Sequence, residues 1–528
     1  MNRQFPAFIS KATVTRIALL CAAYTLNACT ILGPDYKEPE LPWLDDWQTS
    51  LYGQIDTPEQ QSRVDLHFWW RLFNDAALNR LIEIARQENH SLRIAGLRIM
   101  ESRAQLGIAG SNLYPQLQQL GGAIDYVNTH RRGGSLPNGE QNLINYQAGF
   151  NLGWELDFWG RFRRSIESAD AAFFASIANQ QNVQALLSAQ VADLYFAYRT
   201  TELRIHIARE NAAIQKRSYE ITERIFKSGE QSELDLQQAK TQYLSTLATI
   251  PDLQITLIKT RNALCTLLGR PPVDLPELTG QTKELLDIEP LVIRDIPARL
   301  LMRRPDVRAA AWEVAAQSAQ IGIAEADYYP SISLSGSIGW SGYSNSNRAD
   351  TNSLAVGPGV TWNIFDYGRI ANNVRVQDAR LQQLIEQYQD VVLQATRDID
   401  DAAISVVKTA EQKKVLRESV LAARRSLQLA NTRYREGYAD FQRVLDAQRS
   451  LFSQEERELI NQGSQISSVV ALYKALGGGW TDVSVQNLVP ETVRYTMRER
   501  SDWGSLLDEH LPAGSTNPPP TSETLPHE

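Results

Sequence analysis

The chain has 528 residues, a formal net charge of -8, and 43% hydrophobic and 8% aromatic residues. So mild an acidic excess, spread over that length, excludes a nucleic-acid backbone as partner, and the apolar content is that of a folded protein. Past residue 30 no stretch supplies the roughly 18 uncharged apolar residues of a spanning helix, so any membrane crossing must use strands.

Arg3, Lys11 and Arg16 precede an apolar run over residues 17–26 that ends in Asn27-Ala28-Cys29, the layout of a secretory signal over residues 1–28. Leu26 and Ala28 ahead of Cys29 resemble a bacterial lipobox, in which the cysteine becomes the mature N-terminus carrying a covalent diacylglycerol and an N-acyl chain. Thr30, in place of an aspartate, implies sorting to the outer membrane. Several acyl chains would supply the multiple anchor that stable attachment needs. An ordinary signal with a chance cysteine is the plainer alternative. Residues 29–75 follow as an extended N-terminal segment. Cys21 lies in the signal, so lipidation of Cys29 would leave Cys265 without a disulfide partner, and it reads as a small buried hydrophobe.

Residues 76–270 read as a helix, two strands and a helical hairpin. The helix covers residues 78–112 and stops ahead of Tyr114-Pro115. A strand at about 115–128 alternates weakly through Leu120, Gly122, Ile124 and Tyr126. A second, at about 143–157, sets Tyr146, Ala148, Phe150, Leu152 and Trp154 against Asn145, Gln147, Gly149, Asn151 and Gly153. Between them lies a polar loop around Arg131-Arg132-Gly133-Gly134. A helix without proline then runs from 160 to about 228, close to 100 Å at ~1.5 Å per residue, too long for a compact domain. Gly229 breaks it. A return helix over 236–268 ends at Gly269-Arg270-Pro271-Pro272, and Pro251 inside it is expected to kink it.

After a connector at 271–300, residues 301–479 repeat the pattern, with strands at about 330–342 and 352–365. Trp154, Gly160, Gly229, Ala239 and Gly269 recur 208 residues later as Trp362, Gly368, Gly437, Ala447 and Gly477. Gly107, Tyr114 and Pro115 recur 215 residues later as Gly322, Tyr329 and Pro330, which places a seven-residue length difference between Pro115 and Trp154. The gapless agreement of the hairpins means that both copies span one fixed distance. The strands again alternate: Ile332, Leu334, Gly336, Ile338 and Trp340 on one face of the third, Leu354, Val356, Pro358, Val360 and Trp362 on one face of the fourth. The opposite faces carry mainly Ser, Gly and Asn.

A soluble sandwich would show the same alternation. A small polar opposite face suits a water-filled lumen, however, and tryptophans at strand ends suit an interfacial girdle. Four strands cannot close a barrel, since about eight is the usual minimum, so several chains must contribute. Residues 480–497, with the connector at 271–300, are expected to form an equatorial belt around the helices, and the Pro-, Ser-, Thr- and Glu-rich residues 498–528 are expected to be disordered.

Helices and strands in this duplicated order behind a lipobox resemble the outer-membrane factor family of tolC-like proteins, specifically the lipoprotein branch serving resistance-nodulation-division pumps. The motifs that carry the likeness are Gly33-Pro34-Asp35-Tyr36, Arg303-Arg304-Pro305-Asp306-Val307-Arg308, Tyr329-Pro330-Ser331-Ile332, Asp366-Tyr367-Gly368-Arg369, Leu445-Asp446-Ala447-Gln448-Arg449 and Tyr473-Lys474-Ala475-Leu476 with Gly477-Gly478-Gly479-Trp480. The resemblance implies an α+β membrane protein: a homotrimer with a 12-stranded β-barrel, four strands per chain, continued by a long α-helical barrel. It implies an outer-membrane exit duct of a tripartite efflux pump, passively conducting small toxic molecules or drugs, with a periplasmic adaptor and an inner-membrane resistance-nodulation-division transporter as partners and no cofactor beyond the lipid on Cys29. The alternative use of the same architecture is the outer-membrane component of a type I protein secretion system.

The resemblance also implies a periplasmic gate. Asp446 and Arg449 match the family's aperture aspartate and arginine, and Gln442 stands one turn earlier where relatives carry a leucine ring, so the apolar part of this gate is expected to be weaker or displaced. Read without the family, an aspartate and an arginine three apart are a solvated helix pair. The turns at Gly229-Glu230 and Gly437-Tyr438 would face the adaptor. An enzyme has little support: the six histidines are scattered without metal-ligand spacing, and no phosphate loop or nucleophile elbow occurs.

Overall fold

The computed structural model describes residues 31–44, 65–131, 139–229, 232–280, 284–285, 298–344, 350–482, 484–508 and 511. A 3₁₀ turn at Leu66–Phe73 leads into α1 (Ala76–Glu88) and α2 (His90–Ser111). The single helix expected over 78–112 is therefore two. Asn89 has extended backbone angles, its Oδ1 accepts from Leu92 N at 3.0 Å to start α2, and its Nδ2 donates to Leu267 O at 2.9 Å. One asparagine thus ends α1, caps α2 and ties both to a distant helix end.

Strands β1 (Leu117–Arg131) and β2 (Gly139–Leu156) precede α3 (Arg161–Lys227) and α4 (Glu233–Leu267). The second copy contains α5 (Pro305–Ala326), β3 (Ser331–Tyr343), β4 (Thr351–Thr361), α6 (Arg369–Arg435) and α7 (Phe441–Ala475). The correspondence is close: α2 and α5 have 22 residues each, α3 and α6 have 67, and α4 and α7 have 35. Pro251 lies inside α4, which continues through it. Both long helices start at a glycine in the left-handed region, Gly160 at φ 73° and Gly368 at φ 84°. An aspartate caps each start. Asp157 accepts from Phe162 N and Arg163 N, and Asp366 from Ile370 N and Gly368 N.

The helices form a wall, packed side by side. α5 packs between α3 and α6 near the strands, and α7 packs between the same two helices nearer the tips. α2 and α4 line the other flank of α3. Each return helix ends where a shorter helix begins: Gly269 lies against the Glu88 backbone, and Arg304 ahead of α5 donates to Ala475 O at 2.9 Å. The largest apolar cluster sits at these junctions, with Trp69 stacked on Tyr473 at 5.8 Å and Phe73 against Phe196 at 4.8 Å. A groove of about 810 Å³ between α2, α3, α5 and α6 is lined by Arg98, Glu101, Glu313 and Arg380 together with small apolar residues such as Ala95, Ala172 and Ala175. No helix among the described residues is long and apolar enough to cross a membrane.

The four strands form one antiparallel sheet in the order β1-β2-β3-β4. They extend beyond several of the expected spans because polar residues past the apolar run, such as Asn128 opposite Asn142, continue the ladder. The register puts Leu120 opposite Phe150, Phe150 opposite Ile338, and Ile338 opposite Leu354, so the apolar row is continuous across the sheet. Trp154 and Trp362 sit at its helix-side end, where their Nε1 atoms donate to Leu113 O at 3.1 Å and Tyr328 O at 2.9 Å. Trp340 stands toward the opposite end.

The ladder also locates the length difference between the copies. Leu120–Phe150, Gly122–Ala148 and Ile124–Tyr146 in one hairpin correspond to Leu334–Pro358, Gly336–Val356 and Ile338–Leu354 in the other. Leu120 follows Pro115 by five residues whereas Leu334 follows Pro330 by four, so one extra residue lies at the entry to β1 and only the remaining six lie nearer the loop.

The expectation of disorder over 498–528 fails for its first part. Helices α8 (Val485–Leu488) and α9 (Glu491–Arg500) lead to residues 501–508, and Leu488, Val489, Met497 and Leu507 pack on Ile99, Met100, Phe173 and Ile177. Asp508 closes the segment on Arg498 at 2.6 Å. Residues 512–528 lie outside the described residues, as does the loop at 132–138.

Candidate functional site

At the tips of the hairpins the chain reverses through Gly229 at φ 78° and Gly437 at φ 76°. Gly437 N bonds Tyr434 O at 3.1 Å and Tyr438 N bonds Arg433 O at 2.8 Å, which closes the last turn of α6 and satisfies two of its carbonyls. A side chain at either glycine would meet no neighbour, so the positive φ alone favours glycine there. Tyr438 stands 81% exposed at the second tip. Glu230 lies outside the described residues.

Within the first three turns of the return arm, the gate residues are together. Gln442 Nε2 donates to Asp446 Oδ1 at 3.0 Å, and Arg449 Nη1 lies 3.8 Å from the same oxygen. Arg449 Nε also donates to Gln242 Oε1 on α4. This last bond could not be read from the sequence, because Gln242 belongs to the first copy and no spacing links it to Arg449. Half-exposed Asp446 and Arg449 therefore form a charged pair held against a second helix, with room for other partners. Nearby, Gln448 Nε2 donates to Ser218 Oγ at 2.8 Å and ties α7 to α3.

At the strand end of the wall, Arg164 on α3 gathers the N-terminal segment. Its guanidinium, almost fully buried, donates to Leu32 O at 2.9 Å, Gly33 O at 3.0 Å and Asp35 Oδ1 at 2.8 Å, and pairs with Glu167. Burial lowers its pKa, and the bonds to Glu167 and Asp35 more than reverse that, so the charge is retained. A Cβ on Gly33 would sit 2.3 Å from Gly322 Cα, and one on Gly322 would sit 2.4 Å from Leu32 O. Only glycine at both positions lets the backbones touch. Ile31 packs on Gly160, and Leu32 N donates to Trp159 O at 3.2 Å. Cys29 lies outside the described residues.

The Arg303–Arg308 and Tyr473–Trp480 motifs meet at the helix junctions. Arg304 binds Asp306 at 2.7 Å and Asp398 at 3.4 Å besides its carbonyl, while Arg308 lies over the Trp480 ring. Burial pulls the Arg308 pKa down to about 10, partly countered by Asp482. Among the described residues no group of three or more His, Cys, Asp or Glu side chains could hold a metal ion.

The family described as outer membrane efflux protein matches residues 81–270 and 296–478. The pyoverdine export outer membrane protein OpmQ of Pseudomonas putida is 31% identical over 469 residues, covering 88% of this chain and 97% of that protein. The cation efflux system protein CusC of Escherichia coli is 30% identical, covering 87% of this chain and 98% of that protein. Among solved structures, the outer-membrane channel OprN superposes with a TM-score of 0.77 at 32% identity, covering 85% of this chain and 99% of that one.

Proposed function

The chain belongs to the outer membrane efflux protein family and is an outer-membrane efflux channel component of a tripartite pump, and on that premise we propose how it is assembled and anchored. Three copies pool their sheets into one 12-stranded barrel and their helices into one tunnel. The observation that carries this reading is the open four-stranded sheet above helices of 67 residues, about 100 Å long. One sheet of that width encloses nothing, and a helix of that length has no place in a compact monomer.

The tunnel conducts small toxic molecules passively, with selection and energy left to an inner-membrane transporter that reaches the hairpin tips through a periplasmic adaptor. At the tips, three copies of Asp446 form a carboxylate ring that favours cations and narrows the opening, with Arg449 holding its geometry. Gln442, a polar side chain bound to Asp446, takes part in that ring and adds no apolar closure.

Cys29 carries the lipid. Ile31 is fixed at the turn from β2 to α3, and a cysteine two positions before it can lie no more than about 7 Å of chain away, within reach of the level of Trp159 and the helix-side tryptophans. That is where an aromatic belt meets the inner leaflet of an outer membrane. Deleting the gene and screening for sensitivity to toxic compounds, with complementation by wild type and C29S, tests both parts. Full resistance in the deletion strain sinks the export role. A C29S protein that still labels with radioactive palmitate sinks the anchor.

A further inference from the structure

We infer that the two open edges of the sheet join between subunits in one particular register, β4 of one chain against β1 of the next, with Trp362 opposite Leu120 of the partner subunit. The inference rests on the proposed trimer and goes beyond it, because three four-stranded sheets could close in several registers.

The chain contains its own template for the joint. β1 and β3 are equivalent strands, as are β2 and β4, because the pairs Leu120–Phe150, Gly122–Ala148, Ile124–Tyr146 and Tyr126–Ile144 correspond one for one to Leu334–Pro358, Gly336–Val356, Ile338–Leu354 and Trp340–Asn352. Leucine matches leucine, glycine glycine, isoleucine isoleucine and tyrosine tryptophan along β1 and β3. The β2–β3 joint, where the first copy meets the second, pairs Trp154 with Leu334, Leu152 with Gly336, Phe150 with Ile338 and Ala148 with Trp340. Replacing each residue by its counterpart in the other copy gives the joint from the second copy to the first of the next chain. It pairs Trp362 with Leu120, Val360 with Gly122, Pro358 with Ile124 and Val356 with Tyr126 of the partner subunit.

Parity supports this result. In an antiparallel pair opposed residues share a face, and a one-residue slip would turn one strand's apolar row into the lumen. In the derived register Leu120, Ile124, Tyr126, Val356, Val360 and Trp362, all strongly exposed in the lone chain, fall on the lipid face together. Counting instead from the 215-residue spacing of the helices would place Trp362 opposite a polar glutamine, Gln119. The extra residue before β1 is what restores the match.

The helices below agree. α5 and α7 fill the space between α3 and α6 within a chain, while their counterparts α2 and α4 occupy only one flank of α3. The free side of α6 is the equivalent place for them in a closed ring. Trp159 stacks on Tyr329 at 4.6 Å and donates to Pro330 O at 2.9 Å. The counterparts are Tyr367, wholly exposed, and Tyr114, 70% exposed, which lie below the two open edges and meet when the ring closes.

Cysteine pairs test the register in the full-length, membrane-extracted protein. T361C/G121C and V360C/G122C are opposed pairs on adjacent rungs, so one of them is always the close, non-hydrogen-bonded kind. T361C/Q119C and V360C/I124C are the same positions slipped by two residues, where Cα separations of about 7 Å or more resist bridging. The expected result is covalent dimers and trimers from at least one opposed pair, in about tenfold excess over either slipped pair. A slipped pair that cross-links better overturns the register while leaving the trimer in place. Failure of every pair, in a protein that sediments as a monomer, removes the trimer reading as well.

Discussion

The guanidinium of Arg308 on α5 lies 4.9 Å from the centre of the Trp480 ring and donates to Gln181 on α3, so one side chain joins a helix of the second copy, the long helix of the first, and the start of the C-terminal segment. Arg308 is 1% exposed. Truncation would strip the ring of its cation and leave a buried amide without its donor. R308A is expected to lower unfolding stability by about 2–4 kcal/mol, and R308K, which keeps charge but not the planar stack, by less. Denaturant unfolding of the solubilised protein measures both; equal losses would show that planarity is irrelevant.

The bond between Arg449 and Gln242 separates the two ways in which the tip could control conductance. D446A removes the carboxylate and should raise resting conductance in planar bilayers and weaken cation preference. Q242A leaves every charge in place and only frees Arg449 from α4. If the arginine acts by tying helices together, Q242A also raises conductance, with ion preference unchanged. Wild-type conductance in both variants would remove these residues from the gate.

Alanine at Gly322 cannot coexist with Leu32 O at 2.4 Å. G322A should therefore expel the N-terminal segment from its seat and cost about 1–3 kcal/mol, the usual range for forcing an atom into filled space. Limited proteolysis would detect new cleavage near residues 33–44, and R164A should expose the same stretch. G107A serves as the control: it alters the equivalent position in α2, where a Cβ meets nothing in the lone chain.

Burial raises the pKa of Asp193, against the smaller opposing effects of its Ser467 bond and of Lys474. The folded state thus holds this proton more tightly than the unfolded state. Its contribution to stability is present in full below the ordinary value of 3.8 and is lost as pH rises through the shifted one. D193N keeps an acceptor for Ser467 without acquiring charge. It should be more stable than wild type at neutral pH, and the difference should vanish toward pH 3.8, as thermal melts across that range would show. A constant difference would contradict the assignment.

The duplicated order of helices and strands was legible because it depends on local pattern: alternation of two for the sheet, long stretches without proline for the helices, and glycine where a turn requires positive φ. The break at Asn89 was not, since an asparagine in a helical stretch is unremarkable until Leu267 O is placed beside it. The extra residue ahead of β1 was equally hidden, because Gln116-Leu117-Gln118-Gln119 has no clear inner and outer face. Asp446 and Arg449 could be picked out by their motif. Gln242 could not, since it meets Arg449 only when the two copies fold side by side. Composition misleads at the C-terminal segment: the proline-rich bias belongs to residues beyond 511, while the few apolar residues of 485–508 are spaced to cover a strip of α2 and α3.

The equal 67-residue lengths of α3 and α6 limit how such a chain can be altered. Four residues added to one of them would carry its tip about 6 Å deeper and rotate everything beyond the insertion by some 40° about the helix axis. That would uncouple Gln448 from Ser218 and leave one tip of each chain standing proud of the other. Insertions and deletions in this wall are tolerable only as matched pairs, one in each copy, with α4 and α7 adjusted in step.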